Sequence, residues 1–85
     1  MTPEQVRQAF IEALGEIVPE GDFEHLQPDR PLRDQLDIDS YDFMQLMIGL
    51  HERLGVDVPE ADYQRLATPQ GAVEYLTAAG RSGRS

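Results

Sequence analysis

The chain has 85 residues, with 16 acidic against 7 basic side chains and a net charge of −9. This balance excludes the Lys- and Arg-rich surfaces that bind nucleic acid or anionic membranes, and it favours partner proteins with basic surfaces. The absence of cysteine excludes disulfides, zinc–thiolate sites and a thiol nucleophile. The longest apolar stretch, residues 43–50, is too short to cross a membrane. We expect one domain over residues 1–80, a flexible tail over 81–85, and a cytoplasmic location.

The first predicted helix begins after Thr2. Thr2 and Gln5 have the spacing of a capping box, and Pro3 occupies the first helical position. Apolar residues then recur at helical spacing as far as Ile17: Val6, Phe10, Ala13, Leu14 and Ile17. Residues 18–38 read as a long loop with a short helical turn near residues 31–36. Five apolar side chains are expected to pin this loop to a core: Phe23, Leu26, Leu32, Leu36 and Ile38.

The strongest helical pattern runs from Ser40 to Leu54. Asp39 is the predicted N-cap, Asp42 complements the positive end of the helix, and Gly55 is the predicted C-terminal stop. One apolar face is predicted from helical spacing: Phe43, Leu46, Met47, Leu50 and Leu54. Met44 and Ile48 are expected to widen this buried face.

Two helical segments complete the chain. Residues 59–66 suggest a short helix, and Thr68-Pro69 starts a last helix that ends at Gly80. The buried face of that helix is predicted to contain Ala72, Val73, Leu76 and Ala79. The expected fold is all-α, a small antiparallel bundle of three main helices plus one short helix, with a long loop between the first two.

The hexapeptide DIDSYD, residues 37–42, places three carboxylates around Ser40. A calcium loop that began at Asp37 would need Gly at its sixth position and Glu at its twelfth. The chain has Asp42 and Ile48 at those positions, so we predict no metal site. Taken alone, the hexapeptide is explained by helix capping.

A catalytic triad on Ser40 is not supported either. The Gly-x-Ser-x-Gly elbow of the hydrolases is absent. His51 follows Ser40 by eleven residues on the same helix, which places it about 16 Å further along the axis. His25 lies in the loop, and nothing in the sequence directs it toward Ser40. We expect both histidines to be surface residues and the chain not to be an enzyme.

The surroundings of the hexapeptide resemble the acyl carrier protein family. Residues 36–42 (LDIDSYD) look like the family's Asp-Ser-Leu motif at the start of its second helix. Residues 54–60 (LGVDVPE) look like its Phe-Gly-x-x-Ile-Pro-Asp stretch. Residues 66–68 (LAT) and 72–76 (AVEYL) are similar to its Ile-x-Thr and Ala-x-x-Tyr-Ile ending. The similarity needs no gap from Pro31 to Leu76, whereas the first helix agrees only in length and pattern.

The resemblance implies that Ser40, beside Asp39, carries 4′-phosphopantetheine, attached covalently from coenzyme A. The arm would supply the thiol that the chain lacks, and the protein would ferry thioester-bound acyl intermediates as a monomer. The implied partners are a phosphopantetheinyl transferase, an acyl-loading ligase or synthase, and downstream acyl-transfer enzymes with basic docking patches. The residues implied to meet partners are Asp37, Asp39, Tyr41, Asp42, Met44, Gln45, Glu52, Glu60 and Asp62.

The chain departs from the family pattern on its recognition helix. Tyr41 stands where the family usually has Leu or Met, Asp37 replaces a common Gly, and Gln45 replaces a Glu. His51 and Arg53 dilute a usually acidic stretch. Since rim charges set association rate and partner choice, these departures predict a specialised carrier rather than the one that serves fatty acid synthesis.

Two aromatic residues bear on the cargo. Phe43 and Tyr63 occupy positions where the family tends to have small residues that line the acyl pocket. Two rings there predict a short, polar or aminoacyl cargo, or a chain left outside the bundle, unless both rings simply fill the core. The candidate pocket residues are Phe43, Met47, Leu50, Tyr63 and Leu66.

Two other functions remain open from the sequence. The chain could be a carrier-like interaction module that is never modified and that binds a basic partner through its acidic helix. It could also be a small helical signalling or calcium-type domain. A specialised lipid or secondary-metabolite pathway suits the carrier interpretation, and the sequence names neither the pathway nor the loading enzyme.

Overall fold

Helices account for the architecture of residues 2–81, the part of the chain that the computed structural model describes. No β-strand occurs within that range. In chain order the elements are α1 (Pro3–Ile17), a 3-10 turn (Phe23–His25), α2 (Leu32–Gln35), α3 (Ser40–Leu54), a 3-10 helix (Glu60–Leu66) and α4 (Pro69–Arg81). The predicted all-α bundle of three main helices is confirmed, and α1 packs against both α3 and α4.

The helix ends follow the predicted capping signals. Thr2 and Gln5 form a reciprocal capping box at the start of α1. The Thr68 hydroxyl accepts a hydrogen bond from the backbone N–H of Gly71 at 3.0 Å, which caps α4. Gly55 ends α3 in the left-handed conformation, with φ of 68°. Since α4 runs to Arg81, it ends one residue beyond the predicted Gly80. Residues 82–85 of the predicted tail lie outside the described residues.

A single apolar core joins the helices. Its buried members are Val6, Phe10, Ala13, Leu14, Leu32, Leu36, Ile38, Leu46, Met47, Leu50, Val56, Leu66, Ala72 and Leu76. The prediction that Met44 and Ile48 widen the buried face of α3 is wrong, because these side chains are 46% and 48% exposed. At 3.6 residues per turn they lie about 100° and about 140° around the helix from Phe43, and so they lie off the buried face of α3.

The long connection between α1 and α3 is anchored as predicted. Leu32, Leu36 and Ile38 are buried, and Phe23 and Leu26 pack against the core from its edge.

Backbone and side-chain hydrogen bonds complete this anchorage. The backbone N–H of Leu32 donates to the carbonyl of Ala67 at 2.8 Å, which ties α2 to the end of the 3-10 helix. The Gln35 side chain accepts from the Gln27 N–H and donates to the Gln27 and Arg30 carbonyls. The loop therefore has a fixed position beside α3, which matters for the site described below.

Arg53 links the last turn of α3 to α1. Its guanidinium donates to the Glu16 carboxylate at 2.6 Å and lies 3.9 Å from Glu12. The hydrogen bond to Glu16 raises the pKa of Arg53. The charge of Arg53 is thereby directed toward α1 and not toward a partner.

Asp62 links the 3-10 helix to α4. The Tyr75 hydroxyl donates to its carboxylate at 2.7 Å, which raises the pKa of Tyr75. The Arg65 guanidinium lies 4.8 Å from the centre of the same ring, a cation–π contact.

Gly55, which follows the last residue of α3, and Gly49, within the helix, allow a matched test of backbone conformation. Gly55→Ala should lower the free energy of unfolding by about 1–2 kcal/mol, because alanine is strained in the left-handed region. The added Cβ would meet no atom within 4 Å, so strain alone is measured.

Gly49→Ala is the matched control for this measurement. Its Cβ would make an ordinary 3.6 Å contact with Ala13. It should therefore stabilise the protein by up to about 1 kcal/mol through helix propensity. Urea unfolding measures the free energy of unfolding of both variants. An equal loss in each would contradict the left-handed conformation of Gly55.

Candidate functional site

The start of α3 is fixed by two reciprocal hydrogen bonds. The Asp39 carboxylate accepts from the backbone N–H of Asp42 at 2.9 Å, and the Asp42 carboxylate accepts from the N–H of Asp39 at 3.3 Å. Asp39 is thus the N-cap, as predicted, and Ser40 is the first residue of the helix. The local sequence produces this geometry because acidic side chains satisfy the N–H groups that a helix start leaves free.

Ser40 itself is exposed and has no internal partner. Its hydroxyl makes no hydrogen bond to any residue from 2 to 81, and neither do the backbone N–H groups of Ser40 and Tyr41. A phosphodiester on this hydroxyl would face unpaired N–H groups at the positive end of a helix. The residues present therefore fit a covalently attached phosphopantetheine.

The two histidines lie elsewhere, as expected. The His25 ring is 2.7 Å from Asp22, and the His51 ring is 3.0 Å from Asp57. His51 also lies 3.3 Å from the backbone carbonyl of Val56, in the turn after α3. Within the described part of the chain, no base reaches the Ser40 hydroxyl, so Ser40 lacks the neighbour that activates a catalytic serine.

A cavity of about 310 Å³ opens directly beside Ser40. We call it the Ser40 cavity. Three segments of the fold enclose it: residues 31–33 at the start of α2, the first turn of α3, and the 3-10 helix. Its apolar walls include Leu32, Phe43, Met44, Tyr63 and Ala67. Its polar lining includes Arg33, Glu60 and Gln64. The sequence indicated Glu60 only as a partner residue, and it did not indicate Arg33 or Gln64.

The predicted pocket residues divide into two groups. Phe43 and Tyr63 line the Ser40 cavity, with ring centroids 5.9 Å apart and an edge-to-face angle of 70°. Met47, Leu50 and Leu66 do not line it, because they are buried in the core. Met47, Leu50 and Leu66 thus fill part of the core against which the rings of Phe43 and Tyr63 pack.

Most of the predicted partner residues are exposed. Four of them lie together in a groove between α1 and α3, which we call the α1–α3 groove: Tyr41, Asp42, Gln45 and Glu52. Met44 and Glu60 instead line the Ser40 cavity. Asp37 and Asp39 are exposed just before α3, whereas Asp62 is half-buried and accepts the hydrogen bond from Tyr75.

An apolar stripe on α3 was missed by the sequence interpretation. Tyr41, Met44 and Ile48 are 70%, 46% and 48% exposed, and their spacing puts them on one face. Ile48 also lines the α1–α3 groove. Their spacing could have predicted this exposure, since the three residues lie opposite the buried face of the helix.

The structure offers no metal centre and no membrane span among the described residues. No group of three or more His, Asp or Glu side chains is placed to hold an ion. None of the helices from Pro3 onward to Arg81 combines the length and apolar character needed to cross a bilayer. The calcium-type interpretation therefore has no geometric support in this range.

Comparison with known proteins decides the family. Residues 4–76 match the family model described as "Phosphopantetheine attachment site". An acyl carrier protein of Myxococcus xanthus is 32% identical over 76 residues, which cover 86% of this chain and 96% of the relative. The chain belongs to the acyl carrier protein family. Relatives from Micrococcus luteus (32% identity, 86% and 94% coverage) and Acidothermus cellulolyticus (27%, 89% and 89%) carry the same name.

Membership confirms three of the predictions. Acyl carrier proteins are carriers without catalytic activity of their own, so the chain is not an enzyme. The family's attachment site implies a covalently bound 4′-phosphopantetheine. A phosphopantetheinyl transferase and acyl-handling enzymes are the general partners of such a carrier. The roles of individual residues remain predictions.

The capping role of Asp39 can be separated from its charge. Asp39→Ala should lower the free energy of unfolding by about 0.5–2 kcal/mol because the Asp42 N–H loses its acceptor, whereas Asp39→Asn should leave it nearly unchanged. Asp37→Ala removes the same charge at an exposed position without a cap and serves as control. Equal losses in Asp39→Ala and Asp37→Ala, measured by urea unfolding, would contradict the capping role.

Proposed function

We propose that the protein is a discrete acyl carrier whose 4′-phosphopantetheine is attached to Ser40, and that it shuttles acyl thioesters between enzymes of a specialised lipid or secondary-metabolite pathway. One observation supports this above the others. Ser40 presents a hydroxyl without an internal partner at the first residue of α3, next to unpaired N–H groups and a cavity. A monomer in the cytoplasm is part of the proposal.

The attachment chemistry uses Ser40 only as the acceptor. The Ser40 oxygen attacks the phosphorus of coenzyme A that bears the pantetheine. The bond from that phosphorus to the adenosine bisphosphate part breaks, and this part leaves with the electron pair. A base of the transferase takes the hydroxyl proton, since the carrier has none in reach. Once bound, the group supplies a thiol that forms thioesters with acyl groups.

The residues of the chain position and present this group. Exposure of Ser40 lets the transferase approach, and its unpaired N–H groups favour the negative phosphodiester. Exposed acids on α3 and before it, including Asp37 and Glu52, attract basic patches on partner enzymes. The stripe of Tyr41, Met44 and Ile48 offers apolar contact beside that charge.

Modification at Ser40 can be tested directly. Incubation with coenzyme A and a phosphopantetheinyl transferase should add one phosphopantetheine mass, detected by intact-protein mass spectrometry. Ser40→Ala should abolish the adduct, because the chain then has no acceptor hydroxyl at the helix start. The chain has two other serines, Ser82 and Ser85, and their replacement by Ala should leave the adduct intact.

A chain that stays unmodified under these conditions would favour the alternative of an interaction module. In that case a basic partner would bind equally well to the wild type and to Ser40→Ala. An adduct that persists in Ser40→Ala would also contradict the proposed site. Ser40→Ala should fold normally, since the replaced side chain makes no internal hydrogen bond. Circular dichroism of the variant checks this.

The specialised role is proposed from the recognition helix. Tyr41 and Gln45, two of the residues that depart from the family pattern, lie together in the α1–α3 groove. In a reconstituted fatty acid elongation assay, the modified protein should be extended at least about tenfold less efficiently than a carrier that the enzymes of the assay accept. Tyr41→Leu combined with Gln45→Glu should recover part of the difference, whereas equal extension of the wild type would overturn the specialised role.

A further inference from the structure

The α1–α3 groove has one wall from α1 and one from α3, and its volume is about 430 Å³. Small residues lie between the walls, since a Cβ on Gly49 would be only 3.6 Å from that of Ala13. Ile17 of α1 and Ile48 of α3 also line the groove. Ile17 is half-buried and Ile48 is 48% exposed. The small residues let another backbone approach closely, and the two isoleucines offer it apolar area to bury.

The carboxylates that remain available in the groove lie at its two ends. Asp42 is in the first turn of α3 and Glu52 in the last turn, about 15 Å apart along the helix axis. Asp42 uses one carboxylate oxygen in the cap, and Glu52 forms no ion pair within residues 2–81. The Glu16 carboxylate, in contrast, is bound by Arg53 at 2.6 Å. No basic side chain lines the groove, so both ends can accept a cation.

An amphipathic helix is the occupant that fits this pattern. Because a helix rises about 1.5 Å per residue, about ten residues reach from Asp42 to Glu52. Lys or Arg at both ends of that span would meet the two acids. Between them, apolar side chains spaced three or four residues apart would face Ile17 and Ile48. The net charge of −9 disfavours a second copy of this chain as the occupant.

The groove and Ser40 lie on different flanks of α3. Gln45, which lines the groove, is about 140° around the helix from Ser40. The Ser40 cavity is built on the other flank and shares no lining residue with the groove. A helix seated between α1 and α3 therefore leaves Ser40 accessible.

We propose that the α1–α3 groove binds one amphipathic helix of a partner enzyme, about three turns long, with a cation at each end and apolar residues between. Ile17 and Ile48 contact its apolar side chains, and Asp42 and Glu52 bind its cations. This helix holds the carrier while Ser40 stays free to present its arm. The presentation of the arm rests on the proposed attachment to Ser40, whereas binding of the helix does not.

Binding is measured by isothermal titration calorimetry with the unmodified protein. The probe is a synthetic helical peptide with Arg at both ends of a span of about ten residues and Leu at helical spacing between them. A lactam bridge on its outer side maintains the helix. We expect a Kd on the order of 10–100 µM, which rises at high salt. A control peptide of the same composition, with both Arg in the middle and Leu at the ends, should bind at least about tenfold more weakly.

Matched substitutions locate the peptide on the carrier. Ile17→Ala should raise the Kd about three- to tenfold through lost apolar contact, whereas Val73→Ala, which truncates a partly buried side chain of α4, should leave it unchanged. Glu52→Gln should raise the Kd about two- to fivefold. Glu74→Gln removes the same charge from α4, outside the groove, and should have little effect. Gln45→Trp fills the groove from an exposed position and should block binding, which tests the site if Ile17→Ala does not fold.

Access to Ser40 is tested with a phosphopantetheinyl transferase. With the peptide at saturation, the transferase should modify Ser40 as fast as it does with the control peptide. Ser40→Ala should bind the peptide with the same Kd as the wild type.

Each other outcome overturns one part of the proposal. Absence of binding, or equal binding of the two peptides, would overturn the groove as a helix site. A Kd that responds to Glu52→Gln but not to Ile17→Ala or Gln45→Trp would show charge attraction alone and would overturn the role of α1. Slowing of the transferase by the peptide would overturn the accessibility of Ser40. Failure of modification without any peptide would overturn the attachment to Ser40 and leave the groove intact.

Discussion

The reciprocal hydrogen bonds between Asp39 and Asp42 fix the point at which α3 begins, and the site depends on that point. They use two carboxylates to satisfy two backbone N–H groups, and they leave those of Ser40 and Tyr41 unpaired. A shift of the whole helix by one residue in register would turn the serine by about 100° around the axis, away from the cavity that it lines. Asp39 and Asp42 therefore have a structural role in positioning Ser40, in addition to any role in attracting a partner.

Local signals were sufficient to predict the long helices. Thr2, Asp39 and Thr68 precede the three main helices, and each accepts the hydrogen bond expected of a cap. The wrong placement of Met44 and Ile48 came from treating every apolar residue of α3 as buried. Burial of apolar side chains is a one-way rule, since much of any protein surface is apolar. The angle around the helix, and not hydrophobicity, separates these residues from the core.

The cavity could not be derived from the sequence in the same way. Its walls come from three segments that meet because the Leu32 N–H bonds to the Ala67 carbonyl and because Leu36 and Ile38 are buried. Such contacts depend on tertiary packing, and no local pattern records them. Phe43 and Tyr63 were recognised as unusual from the family resemblance, but their edge-to-face contact and the approach of Arg33 needed the three-dimensional arrangement.

The two recesses along α3 share no lining residue. The α1–α3 groove contains Tyr41, Gln45 and Glu52, while the Ser40 cavity is built from α2, the 3-10 helix and the other flank of α3. A change in one recess therefore leaves the walls of the other in place. For protein engineering, this means that the residues of α3 in the two recesses can be substituted independently. Replacing the residues of the α1–α3 groove with those of another carrier could change the partner enzymes without altering the Ser40 cavity.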